Sequence, residues 1–346
     1  MFRWLAVRAA SLLLVLLTVL FLMVVVLGAT GYSDRILQAI VSEQLRALRE
    51  GLAQRIKDPE ELERALAELK GEMERAVGLD RPWYSRIPET VLRVMTLDLG
   101  LARSARSSTG SNRIVDILAE RIPNTVILVT TSLLISAALG LAVGAWLARR
   151  AGSRVDRAIT YVSAVSNALP SWWIGIVLLI VFAYQLRLFP SGGMLSSPPP
   201  EDWFSRGIDV LWHAFLPVLT LVAISTGPSI YASRSMLLNV AQEDFVSVAR
   251  AKGLPERAIS LRHVLRPAAP PIVTGLILAL PASLGGAILT ETVFNWPGMG
   301  RLYYNAVLTG DEGLVVALTY LYTLMYVVAR FALEVIYVYL DPRIRV

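Results

Sequence analysis

The sequence predicts an all-α, polytopic membrane protein. Its parts are six transmembrane helices, a helical extracytoplasmic insertion and a short amphipathic helix on the cytoplasmic side. Three observations carry this. Of 346 residues, 55% are hydrophobic and 17% charged, and mean hydropathy is +0.56; soluble domains carry about 25% charged residues. The apolar residues are gathered into runs long enough for a ~30 Å hydrocarbon core. Basic residues crowd alternate loops and are scarce in the others.

The elements follow in order. Ala9 to Thr30 is an uncharged run of 22 residues behind Arg3 and Arg8. Cleaved signals have apolar cores of ~7–15 residues, so this run reads as a retained first span. Ile122 to Leu147 is the second, closed by Arg149-Arg150. Ile159 to Leu186 is the third, with Asn167 and Pro170 inside it. Val210 to Ser233 is the fourth, Pro270 to Val293 the fifth and Leu314 to Leu340 the sixth. The domains are therefore residues 1–30, a first transmembrane helix; 31–121, an extracytoplasmic segment; and 122–346, a five-helix core containing a cytoplasmic loop over 234–266.

Orientation follows from charge. Arg149, Arg150, Arg154 and Arg157 face Asp156 alone in the second-to-third loop. The fourth-to-fifth loop holds Arg234, Arg250, Lys252, Arg257, Arg262 and Arg266. Leu188 to Asp209 has only Arg206, and Phe294 to Gly313 only Arg301. Basic loops stay inside, so both termini are expected in the cytoplasm.

Asp34 to Arg121 is different material, with 15 basic and 15 acidic residues. Apolar residues at helical spacing predict two helices joined near Lys57. Asp58-Pro59 reads as an N-cap followed by proline at the first helical position. A turn is expected at Gly78 to Pro82, and a flexible loop at Ser104 to Asn112. The segment is either a hairpin packed on the bundle or an arm for an external partner.

Several classes fall. With no cysteine and only His213 and His263, there is no thiol chemistry and no metal cluster. No G-x-x-x-x-G-K-S/T run occurs, so the chain has no phosphate-cradling loop. Arg330 and Glu334 in the sixth span sit i,i+4 near its inner end and read as an ion pair. No acid lies at the centre of a span, which counts against a proton-coupled pump.

The loop between spans four and five is the most informative. Phe245, Val248, Ala249 and Lys252 recur at helical spacing. Glu243 and Asp244 suit the positive end of the helix, Gly253 suits its C′ position, and Pro255 stops continuation. A second run, Ala258 to Arg266, leads to Pro267. A short exposed helix with basic flanks fits a groove on another protein; the competing reading rests it on the lipid surface. Beyond span five, Trp296 can anchor at the interface and Pro297-Gly298 forces a turn. That turn either packs the end of the bundle or rims a path.

Asp244 to Thr274 resembles the cytoplasmic loop of permease subunits from ABC importers. Its pattern is E-A-A, three residues, Gly, nine residues, then I-x-L-P. Gly253 matches the glycine. Ser247 to Ala249 and His263 to Arg266 occupy the flanking positions, of which Ala249 and Leu265 match by letter. The run Ala249-Arg-Ala-Lys-Gly-Leu254 with Leu261-Arg-His-Val-Leu-Arg-Pro-Ala268 resembles the dipeptide/oligopeptide branch. So do Leu97 to Gly100, Leu118 to Thr125, Asn167 to Ser171, Glu291 to Arg301 and the tail Asp341 to Arg345. Residues 31–78 depart from the family.

The resemblance implies one transmembrane subunit of an ATP-driven importer in a prokaryotic cell membrane. A second related permease subunit, two ATPase subunits and an extracytoplasmic solute-binding protein would be its partners. ATP and magnesium would sit on the ATPases, with no cofactor and no catalysis on this chain. Phe245, Val248, Ala249, Arg250, Lys252, Gly253, Leu254 and Arg257 would dock the ATPase, in the role of a coupling helix. Asn167, Pro170, Glu291, Asn295 and Trp296 would line the path or its external gate. Peptides are the expected solute, with oligosaccharides and nickel as alternatives within the branch. A secondary transporter or channel would need its own coupling site or filter, and a membrane-anchored sensor or enzyme a catalytic set; the sequence offers neither.

Overall fold

The computed structural model describes residues 2–53, 56–96 and 98–340. Leu97 and the tail Asp341 to Arg345, both part of the motifs above, lie outside the described residues. The chain runs α1 Phe2–Ala29, α2 Tyr32–Ala53, α3 Pro59–Ala76, α4 Ile87–Met95 and α5 Ile114–Ala148. It continues through α6 Arg154–Ala168, α7 Ser171–Leu178 with a π-helical extension Leu179–Gln185, and α8 Trp203–Ala241. Then come α9 Asp244–Ala251, α10 Glu256–Ala258 with π-helical Ile259–Leu265, and α11 Arg266–Gly286. The last are α12 Ile288–Val293, α13 Met299–Leu308 and α14 Glu312–Leu340. Among the described residues the only β pairing is an isolated bridge, Leu101 with Arg113.

Four stretches are long and apolar enough to cross a membrane: Ala6–Val26, Ile114–Ala148, Trp203–Ala241 and Gly313–Ile336. The expected third span is broken. α6 and α7 meet at 96° and together make a fifth candidate. Pro170 favours the break: its ring disfavours helical dihedrals at the preceding residue. Leu169 is accordingly extended, with ψ 131°, and Pro170 opens α7. The expected fifth span is also interrupted. Its helix starts earlier, at Arg266, and stops at Gly286 before the short α12. The π-wide turns of Ile259–Leu265 come just before Pro267, Pro270 and Pro271, whose missing N–H groups cannot close α-helical bonds.

The described residues form two compact units. The first comprises the chain up to Ala9, Leu118–Asn305 and the chain from Leu324. Here α6 lies against α8 through small residues: a Cβ on Gly227 would stand 2.9 Å from the Ser163 backbone. Gly144 of α5 likewise lets the backbone of Arg234 approach to 2.9 Å from where its Cβ would be. Close backbone approach of this kind is how helices associate in lipid, where burial of apolar surface gives no drive. Beside that contact, both Asp156 oxygens accept from the Arg234 guanidinium at 2.5 Å, joining α6 to α8 through a buried carboxylate and a half-buried guanidinium. Asp202 caps α8, accepting from Phe204 N and Ser205 N. Hydrogen bonds from Ser205 hold its carboxyl below the usual carboxylate range. Arg330 and Glu334 pair at 3.3 Å, as their spacing predicts.

The second unit comprises Ala10–Ile117 and Ala306–Thr323. α2 and α3 form a hairpin that buries Val41 and Leu66 and pairs Arg49 with Glu63 at 2.9 Å. Asp58 accepts from Glu60 N with Pro59 at the first helical position, the start read from sequence. The loop expected to be flexible, Ser104 to Asn112, is instead fastened. Asp311, 1% exposed, accepts from Arg103 N and Ser104 N at 2.7 Å and from Ser104 Oγ at 2.9 Å. Ser107 N donates to Ser111 O, and Ser111 Oγ to Asp116. A carboxylate that accepts several N–H groups holds a polar loop that composition alone describes as mobile.

Candidate functional site

Two places in the first unit gather the candidate residues. The first is α9. Its exit is closed by a Schellman motif: Gly253 N donates to Arg250 O at 2.9 Å and Leu254 N to Ala249 O at 3.4 Å. Gly253 has φ +73°, a conformation that costs any residue with a Cβ. Nothing lies within 4 Å of where that Cβ would sit, so the glycine is there for its backbone alone. One face of α9 is buried: Val246 and Ala249 pack with Ile259, and Val264 covers them. The other face is open. Phe245, Val248 and Leu254 are 45%, 51% and 40% exposed. Arg250, Lys252 and Arg257 are exposed beside them, with Arg250 paired to Glu256 at 3.2 Å. Ala249, expected on the docking face, belongs to the buried one. Its carbonyl ends the helix and its methyl seats it.

The second place is the corner between α12 and α13. α12 ends in the same motif, with Asn295 at φ +51° in the glycine's position. Asn295 N donates to Thr292 O and Trp296 N to Glu291 O. α13 then starts at Met299 behind Gly298, which has no side chain to cap the first N–H groups. They are capped from elsewhere. Arg301 N donates to Glu291 Oε2 at 2.9 Å, and Met299 N to Thr125 Oγ1 at 2.7 Å. The Thr125 hydroxyl in turn donates to Glu291 Oε1 at 2.8 Å. The positive end of α13 therefore faces a carboxylate that is 0% exposed. A Cβ on Gly298 would fall on that carboxylate, and one on Gly300 would stand 2.8 Å from the Ile288 backbone.

The corner gathers its surroundings as well. Trp296, fully buried, donates its indole N–H to Asn124 O at 3.0 Å. Asn124 Nδ2 donates to Pro297 O at 2.8 Å. Gly193 N donates to Phe294 O at 2.9 Å, and Gly175 of α7 lies against the Phe294 ring. Glu291 and Trp296, expected on a path, thus have their polar atoms taken up inside the subunit. Asn295 is exposed, as are Asn167 and Pro170 at the α6–α7 bend. No hydrogen bond among the described residues joins Asn167 to the corner. Sequence reasoning missed Thr125 and the Arg301 N–H as partners of Glu291, and Gly298 as the residue that makes room for its carboxylate, although all lie in stretches it had singled out.

Residues 140–346 match the family model of the binding-protein-dependent transport system inner membrane component. The chain belongs to that family. It is a multi-pass membrane protein of the binding-protein-dependent class. The chain is 28% identical to the oligopeptide transport system permease AppB of Bacillus subtilis, over 77% of this chain and 82% of that protein. It is 29% identical to the dipeptide permease DppB of Escherichia coli K12, over 83% and 86%. With the glutathione permease GsiC of Escherichia coli the figures are 30%, 78% and 82%. Among solved structures, the inward-facing MetNI methionine ABC transporter is similar in fold, with TM-score 0.53 and 17% identity over 67% of this chain and 99% of that one. The fold gives a physical reading of the family-like stretches. Leu118 to Thr125 and Glu291 to Arg301 are two halves of one clamp, and Asn167 to Ser171 is the bend of the broken span.

Proposed function

We propose that this permease forms half of the translocation path of an ATP-driven importer for peptides. Six spans with both termini cytoplasmic, a second related permease subunit, two ATPases carrying ATP and magnesium, and an external binding protein complete the reading. The single observation that carries it is α9: a short helix, seated on one face and capped at its end, with Phe245, Val248 and Leu254 turned outward. Apolar side chains on a short exposed helix suit the groove of a partner. Arg250, Lys252, Gly253 and Arg257 flank that face and are assigned to the same docking surface; Ala249 supports it from behind. Closure of the ATPases would push this helix and rock the bundle as a body.

Peptide as solute is supported by relatives named for oligopeptides, dipeptides and glutathione. Asn167, Pro170 and Asn295, which are exposed, are the candidates for the path. Glu291 and Trp296 are assigned to holding its external end in shape. The test is uptake of labelled peptide into proteoliposomes holding all four membrane and ATPase subunits, with binding protein outside. Uptake is expected to require ATP on the cytoplasmic side. The chain alone should neither hydrolyse ATP nor accumulate peptide down an ion gradient, and gradient-driven uptake by the chain alone would overturn the reading.

A further inference from the structure

The short connection between α5 and α6 carries more positive charge than its structure uses. Arg149, Arg150, Arg154 and Arg157 are all exposed. Among the described residues no ion pair takes up any of them. The one acid within the stretch, Asp156, is 2% exposed and is occupied by Arg234 and by Gly152 N. Arg149 and Arg150 follow α5, where cations suit the negative end of a helix. Arg154 and Arg157 do the opposite. They lie in the first turn of α6, behind its cap Ser153, where the helix end is already positive. Local preference argues against them, so what favours them lies outside the chain.

The neighbourhood indicates which kind of partner. The Arg150 guanidinium stacks 4.5 Å from the centre of the Trp146 ring. Trp146 is 40% exposed on the last turn of an apolar helix long enough to cross a membrane, and exposed indoles of that kind settle at headgroup level. The connection joins that helix to α6 within five residues, Arg149 to Ser153, so its charges cannot leave the interface.

We propose that Arg149, Arg150, Arg154 and Arg157 form a binding site for the phosphate of an anionic phospholipid headgroup. Guanidinium groups hold phosphate oxygens in pairs, and stacking on Trp146 fixes one of them at the right depth. The proposal rests on the reading above in one respect, that this connection lies at the membrane surface.

The test uses the full chain taken from vesicles of phosphatidylglycerol and phosphatidylcholine, with retained lipid counted by native mass spectrometry. The variant is Arg154→Gln with Arg157→Gln. It removes two charges that oppose the α6 dipole, so folding should be unharmed. Phosphatidylglycerol retention is expected to fall about fivefold per arginine removed. The paired lysine variant should keep only part of it, because an ammonium keeps the charge but cannot pair two phosphate oxygens as a guanidinium does. Unchanged retention in the glutamine variant overturns the proposal. So does loss of an ATPase subunit on co-purification with lipid retained, which would assign the arginines to a protein partner. Complete displacement of the lipid by inorganic phosphate would assign them to a soluble anion and overturn the membrane site. An impermeant thiol reagent on a Ser153→Cys variant tests the position separately. Labelling from the cytoplasmic side of inverted vesicles is expected, and labelling only from the outside means that the topology has failed rather than the lipid site.

Discussion

α9 and the α12–α13 corner solve the same local problem and use the result differently. Each ends a short helix with a Schellman motif, one on Gly253 and one on Asn295. Beyond the turn they diverge. Around Gly253 there is empty space, and the helix presents apolar side chains outward. Around the corner there is none. Phe294, Trp296, Gly298, Met299 and Gly300 are buried, and Glu291 and Thr125 cap the next helix. A free surface tolerates exchange of side chains and depends on backbone shape. A closed corner depends on each atom fitting. The same glycine therefore means different things in the two places, and substitutions should separate them.

The largest effect is expected at Gly298→Ala. The added methyl would overlap the Glu291 carboxylate, and that carboxylate is fixed by two donors. Overpacking with no flexible neighbour should cost about 3 kcal/mol or more. The measurement is folded yield and melting of the purified chain. A variant that melts like wild type would mean that the corner is open. Glu291→Ala comes next. It leaves Arg301 N–H and the Thr125 hydroxyl without their acceptor and opens a cavity, at about 3 kcal/mol together. Glu291→Gln should be milder, because Gln can turn its amide oxygen to Arg301 N and its NH2 to Thr125. Uptake and basal ATP hydrolysis should fall together with folded protein. A Gln variant that folds normally yet loses uptake of charged peptide only would put Glu291 on the path after all.

What the sequence made legible follows from the range of the interactions. Helix starts and stops set by local chemistry were readable: Asp58-Pro59, Gly253 and the Arg330–Glu334 pair stand where their spacing puts them. So was the general place of each apolar run. The 96° bend at Pro170 was not legible, because hydropathy sees length and not direction. The loop over Ser104 to Asn112 was misread because its anchor, Asp311, is about two hundred residues away in the chain. Glu291 was expected on the path or its gate, but its partners, Thr125 and the Arg301 N–H, are a hydroxyl and a backbone group. Neither carries a charge that a sequence reading would match to it.

Gly253→Val should act through the backbone alone. A β-branched residue at φ +73° costs more than about 1 kcal/mol, with no clash added. The expected outcome is normal membrane insertion, a modest drop in melting temperature and a clear drop in ATP-dependent uptake, because Leu254 and Arg257 are redirected. Gly253→Asn is the control. Asparagine adopts the left-handed region readily, as Asn295 does at the corner, so uptake should be largely retained. If Val and Asn variants transport equally, the shape of the α9 exit does not matter and the docking reading loses its support.

The smallest effect on stability, and the most telling contrast with the corner, is expected for Phe245→Ala with Val248→Ala. Both side chains are about half exposed and lie on the open face of α9, away from the seat formed by Val246, Ala249 and Ile259. Surface substitutions away from packed features stay within about 0.5 kcal/mol, so melting of the isolated chain should not change. Co-purification of the ATPase subunits should weaken, and ATP-dependent uptake should fall with it. Val246→Ala is the opposite case on the same helix: it removes two buried methyl groups and should lower stability by about 2 kcal/mol, with a matching drop in melting temperature. If the double variant of the open face destabilises the isolated chain as much as Val246→Ala does, that face is packed within the subunit. α9 would then be a second closed corner rather than a surface offered to a partner.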